Sequence, residues 1–353
     1  LIVSQFEDTV SSALSECSPE TVFVTAVSGG ADSMALLAAL CFAAGKERIF
    51  CVHVEHGIRP REESLGDAEY VRSFCVQHEI KFHIEHIPPG TIIRYAQRKK
   101  TGIEAAARFF RRRILCKLAA NLERGGAVTR ILTAHTKDDL LELVLMRSLR
   151  GCGPAGLSAM PKTRALFMRP MLTLSRADVT AYLNAKEIAW REDSTNRDDK
   201  FLRNRVRRRL IPVLNDFFPS WKKGIASTAD TQSLVSDFIC NEAGKRVVWK
   251  ITGDCGLGTG DQGSGIGEIS TDAENFFLQP LIIREEAVFL AADGLLKGVR
   301  CKGTLRRAVV RRFCAGEPAA ADLGDVKIRR KNGLVVLSRK EKEFFERGYS
   351  VLI

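Results

Sequence analysis

The chain reads as an α/β protein: a parallel, Rossmann-like sheet with a helical extension, followed by a small α+β unit. Three observations predict this. Short β-branched apolar runs alternate with longer helix-like segments over residues 21–135. The first run ends in Ser28-Gly29-Gly30-Ala31-Asp32-Ser33 and feeds an Ala/Leu-rich segment. Polar and histidine residues (Ser28, His53, His135) stand at or just after the ends of these runs. Strand–helix alternation argues for a parallel sheet covered on both faces, and such sheets bind ligands at the carboxyl ends of their strands.

Taken in order, strands are predicted at Thr21–Val27, Arg48–Val54, Ile80–Ile87 and Thr129–Ala134, with helices at Asp32–Ala44, Asp67–His78 and Ile103–Glu123. Ser175-Arg-Ala-Asp has the form of a capping box and opens a helix running through Glu187. A basic helix, Phe201–Leu210, is expected to end at Pro212. Residues 253–267 hold seven glycines and few large apolar side chains, which reads as a loop or linker. Glu285–Leu337 reads as an apolar strand, an Arg-rich helix around Arg306–Arg312 and a hairpin, Lys327–Leu337, turning at Asn332-Gly333. A length of 353 residues suits two or three domains. The boundaries expected are a first domain with helical tail over 1–220, a helical and Gly-rich linker over 221–280, and a small domain over 281–353.

The 54 basic residues against 42 acidic ones leave a net charge of +12, which favours a polyanionic partner. The ten cysteines form no CxxC pair, and several sit inside apolar runs where a thiol behaves as a small hydrophobe. No disulfide framework or clustered metal site is expected, and the reading is a reducing, cytoplasmic compartment. No apolar stretch reaches membrane-spanning length, and Leu1–Val10 carries Glu7 and Asp8 without a basic region, so no membrane partner and no secretory signal are expected. Oligomeric state is left open.

Four motifs carry chemistry. In the loop, Gly29 and Gly30 let backbone approach a phosphate, Ser28 and Ser33 bring hydroxyls, and Ala31 lies between the glycines and Asp32. It is not a P-loop of the GxxxxGK[ST] type, since no Lys follows the glycines. A carboxylate at Asp32 beside a triphosphate calls for a cation between them, and Mg²⁺ suits oxygen ligands of both kinds. Second, His53, His56 and Arg59 cluster at the end of the second strand, as phosphate-site groups or as loop packing. Third, Glu104 and Arg108 are spaced i,i+4, either as a surface ion pair or with Arg108 placed on a phosphate or developing charge. Fourth, His135, Asp138, Asp139 and Glu142 fall on one helical face at i, i+3, i+4 and i+7, either a solvated face or a site for Mg²⁺ ligation and general-base work.

The loop resembles that of the ATP pyrophosphatases, which cleave ATP to AMP and pyrophosphate. Together with His53-Val-Glu-His56-Gly-Ile-Arg59, Gly102-Ile-Glu104-Ala-Ala-Ala-Arg108, Ala134-His135…Asp138-Asp139, Arg169-Pro170, Gly151-Cys-Gly153…Met160, Asp193-Ser-Thr-Asn196 and Arg203-Asn-Arg-Val-Arg207, it resembles the tRNA(Ile)-lysidine synthase family. The resemblance runs over residues 21–220 and more loosely over 280–340, where that family carries a small tRNA-binding domain. It implies ligation of the ε-amine of free L-lysine to carbon 2 of the wobble cytidine in the CAU anticodon of tRNA(Ile), through an adenylated tRNA. It further implies an ATP site at Ser28–Ser33 with His53, His56 and Arg59, Mg²⁺ near Asp32 and Asp138, and a reaction centre of Asp138, Asp139, Glu142, His135 and Arg108, with Glu104 orienting Arg108. The basic stretches Arg94–Lys100, Arg108–Arg113 and Arg203–Arg209 would then contact the tRNA backbone. The chain departs from the family pattern at Glu55 (usually Asn), Thr136 (usually a second His), Leu140 (often Gln) and Leu143 (usually Thr). The alternatives are a tRNA-thiolating ATP pyrophosphatase and a non-catalytic tRNA-binding relative.

Overall fold

The computed structural model describes residues 1–58, 61–158, 160–191, 202–251, 267–295, 307–324 and 326–339. The chain divides into two compact units, Leu1–Asp230 and Thr231–Ile353. Among the described residues no helix is long and apolar enough to cross a membrane.

The first unit begins with α1 (Ile2–Leu14), then β1 (Val22–Ala26), α2 (Ala31–Ala43), β2 (Ile49–Glu55), α3 (Arg61–Gln77) and β3 (Lys81–His86). Next come α4 (Thr91–Arg98), α5 (Ile103–Arg124), β4 (Thr129–Leu132), α6 (Lys137–Arg150) and α7 (Pro154–Leu157). A short hairpin, β5 (Thr163–Arg164) and β6 (Phe167–Met168), precedes α8 (Arg176–Ala185), α9 (Leu202–Arg205), α10 (Ile211–Phe217) and the long α11 (Trp221–Arg246). The strand order is β3-β2-β1-β4-β6-β5. All pairs are parallel except β5 with β6 at the edge. From β1 the chain first winds outward through β2 and β3, then returns to the other side of β1 with β4. The winding therefore reverses between β1 and β4, and the crevice at their carboxyl ends is where such sheets bind ligands.

Burial explains why these segments fold as they do. α2 has Met34, Ala35, Leu36, Leu37, Ala39 and Leu40 all fully buried, the mark of a helix apolar all round and enclosed by its neighbours. It packs in the main core with Phe23, Ile49, Val71 and Tyr182. The Phe6 ring of α1 stacks on Tyr182 of α8 with centroids 4.2 Å apart, tying the first helix to the sheet's last one.

The second unit contains β7 (Lys250–Ile251), β8 (Glu268–Asp272), α12 (Ala273–Leu278), α13 (Leu281–Leu295), α14 (Arg307–Ala315), β9 (Ala320–Asp322), β10 (Val326–Lys331) and β11 (Leu334–Arg339). Its strands form an antiparallel sheet ordered β7-β8-β11-β10-β9. The hairpin turns at Asn332 and Gly333, both at positive φ (50° and 72°), as an Asn-Gly turn requires.

Three expectations need correction. The apolar strand expected from Glu285 is part of helix α13: Ile283, Glu285, Ala287, Val288, Ala291 and Ala292 are its buried positions, and the apolar ones among them fall at a helical spacing. Pro212 does not end the basic helix. The chain passes through a π-helical turn at Val206–Leu210 and continues as α10 with Pro212 in its first turn, where a missing N–H costs nothing. The division between units falls within α11, and β8 and Phe276 of α12, in the stretch assigned to a linker, belong to the second unit's sheet and core. Most of the Gly-rich segment (252–266), the stretch 192–201 with its Asp193-Ser-Thr-Asn196, and Arg59 lie outside the described residues.

Candidate active site

The loop after β1 follows the sequence expectation closely. Gly29 has φ +89°, a conformation L side chains rarely adopt, and Gly30 is the N-cap of α2 with no side-chain cap. The Ser33 Oγ accepts from the Ser28 N–H at 3.2 Å and donates to the Gly30 carbonyl at 2.9 Å, holding the turn shut on itself. The Gly29 carbonyl accepts from the Arg191 N–H at 3.0 Å. The outcome is a helix N-terminus with an uncapped first turn, opening at the end of β1.

His53 is buried on β2, and its Nδ1 pairs with the Val27 carbonyl at 3.0 Å. Its observed contact braces the entrance to the loop. His56 lies just beyond β2, whose last residue, Glu55, pairs with the His86 imidazole.

Across the crevice, β4 leads to His135 and α6. The His135 Nδ1 lies 2.9 Å from the Thr133 Oγ1. Burial, then the neighbouring Arg108, push this imidazole down to about 3, so it is neutral across the physiological range. The Arg108 guanidinium is itself held below its ordinary value by desolvation and then by Arg203, with Glu104 acting the other way. Thr136, at the position of a usual histidine, is the buried N-cap of α6. It forms a capping box in which its N–H donates to Asp139 Oδ2 at 3.0 Å and its Oγ1 accepts from the Asp139 N–H.

The acidic face is not solvated. Asp139 and Glu142 are buried, at 6% and 2% exposure. Arg203 donates to Asp139 at 2.6 Å and to Glu142 at 2.8 Å, and Arg207 donates to the same two carboxylates at 3.0 and 2.6 Å. Arg176 reaches Asp139 at 3.2 Å, Glu142 at 3.7 Å and Asp32 at 4.0 Å. Asp138 accepts from the Arg176 backbone N–H at 2.8 Å, at the first turn of α8, and from Lys222 at 3.2 Å. Burial alone would raise Asp139, but Arg203 and the Thr136 N–H hold it below the usual carboxylate range. Asp138 is also held low against its desolvation, by the Arg176 N–H and Lys222. Asp32 goes the other way: burial, with Asp139 and Asp138 adding to it and Arg176 opposing, pushes it up to about 6.

Sequence reasoning placed Arg203 and Arg207 on a surface facing RNA phosphate. They instead turn inward onto Asp139 and Glu142. The reason is amphipathic: Val206 and Leu210, between and beside them, pack against Leu141 and Leu145 of α6, which carries the i,i+4 arginine pair onto the carboxylates. That apolar stripe was the available signal. Arg176 and Lys222 gave none, since their partners lie 38 and 84 positions away.

Asp32 has the donor chemistry for Mg²⁺: an oxygen ligand beside an anion-binding helix end, whose charged form is disfavoured until a cation shares it. Among the described residues no three His, Cys, Asp or Glu side chains are gathered to hold a metal by themselves, so phosphate oxygens would have to complete the shell.

An uncapped glycine loop at the switch point of a parallel sheet, faced by a carboxylate-bearing helix, defines a nucleotide-binding α/β protein. The chain belongs to the PP-loop domain family, whose pattern it matches over residues 2–214. It is 42% identical over 216 residues to the tRNA(Ile)-lysidine synthase of Treponema denticola, which covers 61% of this chain and 46% of that protein. The same-named protein of Thermus thermophilus is 36% identical over 215 residues, covering 61% and 40%. The chain thus spans less than half the length of these two relatives. Among solved structures, the U34-tRNA thiolase NcsA of Methanococcus maripaludis, with its 4Fe-4S cluster, superposes with a TM-score of 0.54 over 65% of this chain and 79% of that one, at 15% identity, a likeness of fold.

Proposed function

We propose that this protein ligates free lysine to carbon 2 of the wobble cytidine in a CAU-anticodon tRNA(Ile), using ATP. The observation that carries the reading is the meeting of two halves at one switch point. The open helix end at Ser28–Ser33 suits a triphosphate, and Arg176 links Asp32 beside it to the buried acids Asp139 and Glu142 of α6.

In the first step the cytidine carbonyl oxygen attacks the α-phosphorus of ATP and pyrophosphate leaves. Amides of the α2 first turn and the Ser28 hydroxyl receive phosphate oxygens, while Ser33, whose hydroxyl donates to the Gly30 carbonyl, shapes the turn. Arg108, with Glu104 orienting it, bears on the charge that develops at phosphorus. Mg²⁺, held by Asp32 with Asp138 at the margin, would neutralise the triphosphate. In the second step the lysine ε-amine attacks carbon 2, and AMP leaves with the former carbonyl oxygen. The amine must lose a proton to attack, and Asp138, Asp139 and Glu142 are the acids assigned to this step; Asp139 and Glu142 are paired with Arg176, Arg203 and Arg207, so the ammonium would have to displace a guanidinium to reach them. Neutral His135 serves as a hydrogen-bonding group here, not as a cation. His53, His56 and Arg59 are assigned to the ATP side. The net charge of +12 and the relatives' names support a tRNA partner.

The test is incubation with ATP, Mg²⁺, labelled lysine and a CAU-anticodon transcript. Label is expected in the RNA, and it is expected to vanish with Asp32→Ala or Glu142→Ala. Full-rate labelling by those variants would overturn the site assignment. No labelling and no tRNA-dependent ATP–pyrophosphate exchange by the wild type would overturn the activity.

A further inference from the structure

Helices α4 and α5 carry a group of aromatic rings that the proposed chemistry does not use. Tyr95 stacks on Phe109 with centroids 4.8 Å apart and planes 12° from parallel. Phe110 meets both rings edge-on, at 5.2 and 5.5 Å. The three are not equivalent. Tyr95 and Phe110 pack against the small core of Ile87, Ile92, Ala96 and Ala106, whereas Phe109 lies outside that cluster and is 42% exposed. Phe109 is thus the outer ring of a stack whose inner ring is anchored.

Its surroundings are cationic. Residues 91–113 hold eight Lys or Arg and one Glu. Arg98 places its guanidinium 5.9 Å from the Tyr95 centroid, and Arg94, Lys99 and Arg113 are exposed around the same hairpin. A ring that is 42% exposed while stacked on Tyr95, in a field of positive charge, matches unpaired nucleic acid. Arginines and lysines neutralise the backbone, and the ring takes a base that has left its helix. A duplex hides its base faces and gains only from the charge.

We propose that Phe109, backed by Tyr95, is a stacking platform for an unpaired RNA base, and that Arg98 and its neighbours hold the flanking phosphates. This rests on the tRNA reading and extends it: it names a surface on α4 and α5, the latter also bearing Glu104 and Arg108, through which a loop rather than a paired stem is recognised.

The test compares an anticodon stem-loop carrying 2-aminopurine in its loop with a fully paired duplex of equal length, using the full chain. Wild-type protein is expected to quench the 2-aminopurine and to prefer the stem-loop. Phe109→Leu keeps the apolar volume of a largely exposed side chain but removes the π-face. It should weaken stem-loop binding by about fivefold or more, relieve the quenching and leave duplex binding unchanged. Phe109→Tyr should restore both. Arg98→Ala should lower the salt slope of binding by about 1 without abolishing quenching. Equal affinity and equal quenching by wild type and Phe109→Leu would overturn the platform while leaving the tRNA reading intact. A wild-type protein with no preference for the stem-loop over the duplex would overturn the platform; the tRNA reading falls only if lysine labelling and ATP–pyrophosphate exchange fail as well. A wild-type dimer that Phe109→Leu dissociates would give the ring to a second copy of the chain and overturn the RNA assignment.

Discussion

Arg207 donates from its Nε to the Glu142 carboxylate at 2.6 Å, joining residues 65 positions apart in the chain. The Glu142 side chain is only 3% exposed, so its charge is kept in a poorly solvated place by guanidinium groups alone among the described residues. Removing a partner from a buried pair costs about 3–5 kcal/mol when nothing replaces it. Here Arg203 still reaches Glu142 at 2.8 Å. Arg207→Met is therefore expected to cost about 2–3 kcal/mol, below that range. The double change Arg203→Met with Arg207→Met should exceed the sum of the singles, since it strips Glu142 of both. Urea denaturation of the two singles and the double checks this; additive losses would sink it.

Asp32 gives a prediction of opposite sign. Its folded pKa is about 6, above the ordinary 3.8. The folded protein therefore binds this proton more tightly than the unfolded chain. The ionised carboxylate costs stability above pH 6, and the cost disappears as pH falls toward 4. Asp32→Asn is expected to raise the melting temperature at pH 7.5 in the absence of nucleotide and Mg²⁺, by no more than about 3 kcal/mol of stabilisation. The gain should be about halved at pH 5, because that pH still lies above the ordinary 3.8. Thermal melts at both values decide it, and a destabilised variant at pH 7.5 would refute the assigned burial cost.

His135 shifts the other way for its type. Its folded pKa is about 3, below the ordinary 6.5. Below pH 6.5 the unfolded chain takes a proton that the folded protein refuses, so stability falls as pH drops from 6.5 toward 3. The ring resonance of His135 in a proton–nitrogen NMR titration should stay neutral from pH 8 to pH 5. An inflection near 6.5 would show a solvated imidazole instead.

Thr136 tests the capping reading of a residue that departs from its family pattern. Thr136→Ala removes the Oγ1 that accepts from the Asp139 N–H, and is expected to cost about 1 kcal/mol. Thr136→Ser should retain most of that stability. Equal losses from both changes, measured by denaturant midpoint, would assign the role to the methyl group's packing.

Much of the first unit was legible along the chain because its signals are local. A β-branched run closed by Ser28-Gly29-Gly30 gives β1, its turn and α2, since each step depends on the conformational preferences of adjacent residues. The same holds for Ser175 with Asp178 at the start of α8 and for the Asn332-Gly333 turn. The apolar stretch after Glu285 reads as a strand along the chain because an apolar run has no period visible until one knows which of its residues face inward.

By itself the sequence determined which residues are candidates for the chemistry: the glycine loop, Asp32, the i, i+3, i+4, i+7 acids of α6 and the polyanion-seeking charge. Only the tertiary structure decided how those acids are held. Whether Asp139 and Glu142 meet water, lysine or arginine depends on where α8, α9 and the turn after it return to α6, and that is set by packing of Val206 and Leu210 on Leu141 and Leu145. Spacing within one helix places charges on a face. The dielectric and the partner at that face come from chain segments remote in sequence, and these decide whether a carboxylate is raised, as Asp32 is, or lowered, as Asp139 is.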